Sequence, residues 1–203
     1  MEKGKNVYQK ESLVQLGFFL SYGLKFNTWP GYKCGISENE FNYFKTSIKK
    51  ASQENLWFTE EMINKSLENW SYNLTEDNID LWLSKYKTPS NINKNVLIIC
   101  AGNLPLVGLH DVLCCIILGL NVQVKLSKKD DVLLPLIIKL LSLFDENIKR
   151  QVVVLSGKPK DFDAVIATGS DNSNRYFDYY FGEHPHIFRK NRTSVAVIHD
   201  DIS

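Results

Sequence analysis

The chain contains 203 residues, of which 44% are hydrophobic and 12% are aromatic. This composition excludes a disordered tail, and the length suits one domain, or one domain with an added subdomain. The 24 Lys and Arg residues nearly balance the 23 Asp and Glu residues, which leaves a formal charge of +1. The balance argues against a dedicated nucleic-acid binder, because phosphate contacts need a concentrated positive field.

Residues 1–90 have the pattern of a helical region with aromatic anchors. Apolar residues recur at helical spacing in stretches that begin at Leu13, Phe41 and Ile63. Thr59 and Thr75 each precede an acidic first turn, which is typical of a helix N-cap. We therefore predict a series of helices that ends before the polar, turn-forming segment at residues 87–94.

Residues 91–203 alternate short apolar runs with helical patterns. The runs that predict strands are Val96–Cys100, Val122–Leu126, Val152–Leu155, Ala164–Ala167 and Val195–Ile198. The patterns that predict helices are Leu104–Leu118, Asp131–Phe144 and Asn172–Phe181. Continuously apolar strands that alternate with helices indicate a parallel sheet covered on both faces. The predicted fold class is α/β, with an N-terminal helical segment and a doubly wound, mostly parallel, Rossmann-like sheet.

Cysteine usage and targeting signals give further expectations. The four cysteines, Cys34, Cys100, Cys114 and Cys115, show neither disulfide nor metal-site spacing. The N-terminus lacks the apolar core of a signal peptide, and no apolar run reaches the roughly 18–20 residues of a membrane span. We expect a reduced, cytoplasmic protein with no membrane span and no bound metal.

Polar residues follow three of the predicted strands, where ligands of such sheets bind. Gly102 and Asn103 follow the first strand, Lys125 ends the second, and Thr168-Gly169-Ser170 follows the fourth. Hydroxyls and helix N–H groups at this last turn suit an anion, although Gly-Ser is also an ordinary N-cap. Their shared location favours one ligand site, although no G-x-G-x-x-G fingerprint is present.

Two segments resemble a known family. The segment AGNLPLVGLHDVLCCIILGLNVQVKLSKKD resembles the cofactor region of the aldehyde dehydrogenase superfamily, and within it the LuxC-like acyl-CoA reductases. The ATGS turn and the RKNRTSVAV run add to this likeness, which extends from Val96 to Asp201. The resemblance implies a sheet of the aldehyde dehydrogenase type that binds a nicotinamide dinucleotide.

The resemblance also implies roles for individual residues. Asn103 matches the asparagine whose amide stabilises the oxyanion of the tetrahedral intermediate. Lys125 and Ser127 match the motif that holds the adenosine ribose, and the Thr168–Ser170 turn matches the pyrophosphate and nicotinamide end. Lys128 stands where many NAD-using members have glutamate. Because a cation accommodates a 2′-phosphate, this exchange favours NADPH over NADH.

The chain departs from the family pattern at two points. Phe188 stands where many members have a general-base glutamate, which a reductase that releases aldehyde does not need. The family's nucleophilic cysteine lies downstream of RKNRTSVAV, whereas this sequence has no cysteine after Cys115. Cys114 and Cys115 are expected to be buried and inert within a helix, and Cys34 is the most plausible reactive thiol, although none is assigned as nucleophile.

The favoured hypothesis is therefore the NADPH-binding portion of an acyl-CoA reductase. Such an enzyme reduces fatty acyl-CoA to aldehyde through an acyl-cysteine thioester, with NADH as the alternative cofactor and a homo-oligomer as the expected assembly. We expect the catalytic cysteine domain to lie outside this chain, so the chain alone would have little activity. The alternative hypothesis is a non-catalytic nucleotide-binding or interaction module, which the missing nucleophile favours.

Three other features have competing interpretations. His184 and His186 lack an evident third metal ligand, so a structured turn is preferred. The basic run at residues 189–192 fits phosphate contacts and a solvated loop equally well. The aromatic residues at positions 176–181 are assigned to helix packing or a subunit contact.

Overall fold

The computed structural model describes residues 3–86 and 93–197, so the end of the predicted linker at residues 93 and 94 is described and its start is not. The helices are α1 (Lys3–Lys25), α2 (Glu38–Glu54), α3 (Glu60–Asn73), α4 (Glu76–Leu83), α5 (Leu109–Ile117), α6 (Leu133–Phe144), α7 (Ile148–Gln151) and α8 (Asp171–Phe181). The strands are β1 (Asn95–Ile99), β2 (Asn121–Lys125), β3 (Val152–Val154), β4 (Ala164–Thr168) and β5 (His186–Arg189). The α/β fold class is confirmed.

Side-chain caps explain where two of the N-terminal helices begin. The Ser37 hydroxyl accepts a hydrogen bond from the Glu40 N–H, and the Glu40 carboxylate accepts one from the Ser37 N–H, which completes a capping box. Thr59 caps α3 as predicted, since its hydroxyl accepts from the Met62 N–H at 3.2 Å. Thr75 precedes α4, but its hydroxyl donates to the Tyr72 carbonyl instead of capping α4.

The N-terminal helices pack closely, and a glycine permits their closest approach. A Cβ atom at Gly17 of α1 would lie 2.7 Å from both the Cβ and the carbonyl oxygen of Leu74, which ends α3. The Ser71 hydroxyl donates to the Gly17 carbonyl at 3.0 Å. Any side chain at position 17 would therefore force α1 and α3 apart.

The five strands form one parallel sheet in the order β3-β2-β1-β4-β5. The chain runs outward from β1 through β2 to β3, then returns to the other side of β1 as β4. The strand order therefore reverses between β1 and β4, which is the topological switch point of a doubly wound sheet. All five strands end at the same edge, because their neighbours are parallel.

Helices cover both faces of the sheet. Val96 and Ile98 of β1 contribute to a large apolar core that includes helices α1, α2, α3, α5 and α6. The alternate residue Leu97 belongs to a second apolar cluster with Val165 and Ala167 of β4, against which Phe177 and Phe181 of α8 pack. This period-two division is what a strand buried on both faces requires.

Some sequence-based boundaries were wrong. Helix α5 begins at Leu109 instead of Leu104, because residues 103–108 form bends and turns. Val195 and Val197 are 89% and 77% exposed and lie in no strand, so the predicted strand at Val195–Ile198 is wrong over its described part, which excludes Ile198. The last strand is instead β5, which pairs with β4 at the sheet edge. Asp200 and Asp201, predicted as a turn, lie outside the described residues.

Within residues 3–86 and 93–197, every helix falls short of the length and apolar character that a transmembrane helix needs.

Candidate functional site

Three polar segments meet the edge of the sheet at or beside the switch point. They are the β1–α5 loop, the β2–α6 loop and the β4–α8 turn, which follow the carboxyl ends of three adjacent strands. Register places Ile99 of β1 beside Lys125 of β2 on one side and Ala167 of β4 on the other. The fold therefore brings all of the sequence-predicted site residues to one edge.

The β1–α5 loop packs tightly against the β2–α6 loop. A Cβ atom at Gly102 would lie 2.5 Å from the Ser127 Oγ and 2.8 Å from the Lys129 Cβ, so only glycine permits this approach. Asn103, the predicted oxyanion donor, is exposed at the tip of the loop. Its side chain is therefore accessible to a ligand and is not buried in the core.

A buried carboxylate holds the same two loops together. The Asp130 Oδ2 accepts a hydrogen bond from the Leu106 N–H at 3.2 Å. Leu106 has a φ of 60°, a left-handed conformation that is strained for a residue with a branched side chain. Burial raises the pKa of Asp130 to about 6, although N–H groups of Leu106 and Leu133 oppose the rise. Sequence reasoning missed Asp130 because its burial depends on the fold of both loops.

The end of β2 carries the predicted ribose-binding residues. The Lys125 ammonium donates to the Gly157 carbonyl at 3.1 Å, across the connection between β3 and β4. An ammonium has three donors, so this one bond leaves Lys125 with further hydrogen-bonding capacity. The Ser127 hydroxyl accepts from the Lys129 N–H at 3.2 Å, and Lys128 is exposed beside it.

The β4–α8 turn is a capped helix N-terminus. The Ser170 hydroxyl accepts from the Ser173 N–H at 3.2 Å, so the N-cap that the sequence suggested is present. A Cβ atom at Gly169 would lie 2.8 Å from the Ser173 Cβ, which explains why a glycine stands between Thr168 and Ser170. The buried Asn174 amide donates to the carbonyls of Gly169 and Ser170, while its Oδ1 has no hydrogen-bond partner among the described residues.

An ion pair that sequence reasoning missed crosses the switch point. The guanidinium of Arg189 donates two hydrogen bonds to the Asp111 carboxylate, at 2.7 and 2.8 Å. Asp111 lies in the first turn of α5 and is 6% exposed. Burial alone would raise the pKa of Asp111, but His110 and Arg189 outweigh it and hold that pKa below its ordinary value. We attribute the larger part to Arg189, because His110 Nδ1 lies 3.9 Å from the carboxylate.

The Asp111–Arg189 pair distinguishes Arg189 from the other cations of the basic run at residues 189–192. Arg189 is bound to a carboxylate, which offsets its positive charge and makes it a weaker phosphate-binding candidate than its neighbours. Lys190 and Arg192 are exposed in the extended segment after β5. The phosphate-contact interpretation therefore favours these two residues.

The N-terminal helical region donates hydrogen bonds to both the β1–α5 loop and the β2–α6 loop. The Asn55 side chain, at the end of α2, donates to the Lys129 carbonyl at 2.9 Å. The Ser66 hydroxyl on α3 donates to the Pro105 carbonyl at 3.0 Å. The helical layer therefore fixes the site loops in addition to covering one face of the sheet.

The exposure of two thiols differs from what the sequence predicted. Cys34 is fully buried, and its Sγ lies 3.2 Å from the Gly31 carbonyl, so it is not an accessible thiol. Cys114 is partly exposed on α5, and its Sγ lies 3.7 Å from Nδ1 of His110, so it is not enclosed as predicted. Cys115 is buried as predicted, and Cys100 is buried too; burial raises the pKa of each thiol to about 12.

The structure also locates the Glu-His-Pro-His segment and the aromatic residues at positions 176–181. The Pro185 carbonyl accepts from the Val165 N–H and His186 begins β5, so the Glu-His-Pro-His segment leads into an edge strand. Among the described residues, no three His, Cys, Asp or Glu side chains are placed to bind one metal ion. Phe177 and Phe181 pack against the sheet, whereas Tyr176, Tyr179 and Tyr180 are exposed.

The donor chemistry at the sheet edge fits an anionic dinucleotide. The β2 end and the following loop supply lysines and a hydroxyl, and the β4–α8 turn supplies hydroxyls and the N–H groups of a helix N-terminus. Neighbouring parallel strands present these donors side by side, on both flanks of β1. This is the geometry in which doubly wound sheets hold nucleotides.

The comparisons with known proteins identify the class of fold. The structure is similar to the crystal structure of aldehyde dehydrogenase 21 from Physcomitrella patens in complex with the reaction product succinate, with a TM-score of 0.55 and 12% sequence identity. The match covers 91% of this chain and 40% of that chain, so this chain spans less than half the length of that protein. No protein-family model matches the sequence, and no curated protein matches it. The chain therefore has the α/β fold of part of an aldehyde dehydrogenase.

Proposed function

We propose that this chain is the NADPH-binding portion of an acyl-CoA reductase of the LuxC-like type, which reduces acyl-CoA to aldehyde. The observation that carries the proposal is the convergence of Asn103, the Lys125–Lys128 segment and the Thr168–Ser170 turn on one edge of a parallel sheet. The resemblance to the aldehyde dehydrogenase superfamily implies cofactor or oxyanion contacts for these same residues. The aldehyde dehydrogenase type of fold supports the same assignment.

Each segment has a distinct binding task in this proposal. Lys125 and Ser127 donate hydrogen bonds to the adenosine ribose, and the ammonium of Lys128 pairs with a 2′-phosphate. The N–H groups at the start of α8 and the Ser170 hydroxyl stabilise the negative charge of the pyrophosphate. The dinucleotide, when bound, supplies hydride for reduction of the acyl group.

Asn103 has the catalytic task on this chain. Its exposed amide, at the tip of the β1–α5 loop, donates a hydrogen bond to the oxyanion that develops when a thiolate attacks the acyl-CoA thioester. Such donors are worth roughly 3–4 kcal/mol when one is removed. The sequence has no cysteine after Cys115, and two of its four thiols have pKa values raised to about 12. Cys34 is buried as well, and Cys114 lies on α5, outside the segments that the resemblance matches to the nucleophile, so the proposal takes the attacking cysteine from other sequence.

Dinucleotide affinity measured by calorimetry tests the cofactor assignment. We expect NADPH to bind more tightly than NADH, and Lys125→Ala to weaken both. Lys128→Glu is expected to reverse the preference, because a carboxylate repels the 2′-phosphate and accepts a bond from a 2′-hydroxyl. Lys129→Glu is the matched control, since it makes the same charge change at the next exposed position and should leave the preference unchanged.

Two outcomes would contradict the proposal. A folded sample that binds neither dinucleotide refutes the cofactor site, and equal effects of Lys128→Glu and Lys129→Glu refute the role of Lys128. Robust reduction of acyl-CoA by the 203-residue chain alone would refute the assignment of the nucleophile to other sequence.

The second candidate function is a non-catalytic nucleotide-binding module. The burial of Cys34, Cys100 and Cys115 favours it, because buried thiols are poor nucleophiles. The module would bind a dinucleotide yet show no hydride transfer to acyl-CoA in any assembly with a cysteine-bearing partner. Reconstitution with candidate partners therefore distinguishes the two functions.

A further inference from the structure

The Asp111–Arg189 ion pair joins segments that lie 78 positions apart and on opposite sides of the switch point. Asp111 is in the first turn of α5, directly after the β1–α5 loop, and Arg189 ends the edge strand β5. Two parallel N–H···O bonds fix the direction of the guanidinium as well as its distance from the carboxylate. The pair therefore constrains the relative position of two elements that share no backbone hydrogen bonds.

Arg189 extends this constraint to the proposed pyrophosphate turn. Its backbone carbonyl accepts a hydrogen bond from the Gly169 N–H at 3.1 Å and another from the Asn174 side chain at 3.3 Å. The Asn174 amide in turn donates to the Gly169 and Ser170 carbonyls. A continuous chain of hydrogen bonds thus runs from α5 through Arg189 to the turn before α8.

Two members of this connection, Asp111 and Asn174, are buried. Asp111 is 6% exposed and Asn174 is 1% exposed, so water does not compete freely for their bonds. The carboxylate of this pair is buried, whereas the Arg189 side chain is 35% exposed. A partly buried ion pair contributes little net stability, and fixing geometry is a better-attested use of such pairs. The pair is therefore better suited to setting the width of the crevice than to stabilising the fold.

We propose that Asp111 and Arg189 are positioning residues for the dinucleotide site, which hold the Thr168–Ser170 turn at a fixed distance from the loop that carries Asn103. This inference rests on the proposed function and extends it to two residues that touch no ligand. Loss of the pair leaves both halves of the site present but wrongly spaced, so binding weakens without loss of any contact residue.

The chain offers a matched control at the opposite edge of the same strands. The Lys94 ammonium lies 2.7 Å from the Asp163 carboxylate, which also accepts from the Asn95 N–H at 2.8 Å. This pair joins the starts of β1 and β4, whereas Asp111 on α5 and Arg189 at the end of β5 lie on the side of the sheet where the strands end. Asp163→Asn should therefore perturb the fold without changing the crevice.

The experiment compares Asp111→Asn, Arg189→Lys and Asp163→Asn in the 203-residue chain. NADPH affinity is measured by nucleotide fluorescence, thermal stability by calorimetry, and the exchange rate of the Gly169 amide by NMR. We expect Asp111→Asn to weaken NADPH binding at least tenfold and to accelerate exchange at Gly169. Asp163→Asn should leave both values within twofold of the parent, whatever its effect on thermal stability.

Arg189→Lys keeps the positive charge but cannot make the two parallel bonds. It should also weaken binding, and it supplies the test if Asp111→Asn fails to fold. The double variant Asp111→Asn/Arg189→Lys should bind no more weakly than the worse single variant, because residues that act as one unit are not additive. Fully additive losses would overturn the proposal.

NADPH affinity and the Gly169 exchange rate together distinguish failure of this inference from failure of the proposed function. If the parent chain binds no dinucleotide, the proposed function fails, and the Gly169 exchange rate alone decides whether the pair positions the turn. If NADPH binds but Asp111→Asn weakens it no more than Asp163→Asn, the positioning role is refuted. Unchanged Gly169 exchange in both Asp111→Asn and Arg189→Lys refutes it as well.

Discussion

At the sheet edge, burial separates the side chains that the sequence predicted from those that it did not. Exposed groups such as Asn103 and Lys128 were proposed as ligand contacts from the resemblance to the aldehyde dehydrogenase superfamily. Asp111, Asp130 and Arg189 were not identified, since a buried carboxylate or ion pair depends on contacts between segments far apart in the chain. Sequence reasoning therefore identified candidates for touching the ligand but not the residues that hold those candidates in place.

Cys114 is expected to be the one rapidly reacting thiol of the native protein. It is partly exposed and its Sγ lies 3.7 Å from a His110 ring nitrogen, whereas the other three cysteines are buried. In titration with an aromatic disulfide reagent, one thiol should react fast and three only after denaturation. Cys114→Ser should abolish the fast phase, and a fast phase that survives this change contradicts the expectation.

Asp130 should make stability depend on pH between about 4 and 6. Its pKa is about 6 in the folded chain because of burial, against an ordinary value of about 3.9 in the unfolded chain. The folded state therefore binds the proton more tightly, and the contribution of Asp130 to stability falls as pH rises through this window. The loss approaches about 3 kcal/mol above pH 6.

Denaturant unfolding of the parent and of Asp130→Asn across this pH range measures the effect. The parent should lose stability relative to the variant as the pH rises from 4 to 6, since the amide does not titrate. Asp178→Asn, a change at an exposed position on α8, is the control and should show no such difference. A constant difference between the parent and Asp130→Asn would contradict the assigned pKa.

Helices and strands differ in how clearly the sequence predicts them. Helices α2, α3 and α6 and strands β1 to β4 were predicted within a few residues, because their apolar spacing is regular. Among these helices, α3 also has the N-cap, Thr59, that the sequence predicted. Strand β5 was missed because it follows Pro185 and begins with a histidine, so it lacks a continuous apolar run. The Val195–Val197 alternation resembled a strand, but its exposed valines have no sheet neighbour in the described structure.

The contact between α1 and α3 should be sensitive to one methyl group. Gly17→Ala places a Cβ 2.7 Å from Leu74, including its backbone oxygen, which cannot move as a side-chain end can. The better helix propensity of alanine is worth about 1 kcal/mol, whereas overpacking costs about 1–3 kcal/mol. We therefore expect a net loss of stability in denaturant unfolding. Gly157→Ala, where a Cβ would meet no atom within 4 Å, should cause no comparable loss.

At the scale of the molecule, one apolar cluster connects the helical region with the sheet. It runs from Leu13 on α1 to Val152 on β3 and includes residues of α2, α3, α5 and α6. The division at residues 1–90 and 91–203 remains a prediction from the sequence. The shared core makes separate unfolding of the two regions costly, because either one alone would expose its buried apolar side chains.

We expect calorimetric unfolding to show a single transition. The calorimetric enthalpy should equal the van't Hoff enthalpy, as in a two-state protein. Two resolved transitions, or an NADPH-induced shift confined to part of the unfolding profile, would show that the helical region and the sheet are independent.

The strand order also determines when the crevice forms during folding. Asn95 of β1 meets Asn121 of β2 across 26 positions of chain, but meets Asp163, next to β4, across 68. Closing a longer loop costs more entropy, so we expect pairing of β1 with β2 to precede the addition of β4. On this order, the switch point between β1 and β4 forms after the β1–β2 pair. A partly folded chain would already hold the β2-end residues Lys125 and Ser127, yet it would have no second wall against which a dinucleotide could bind.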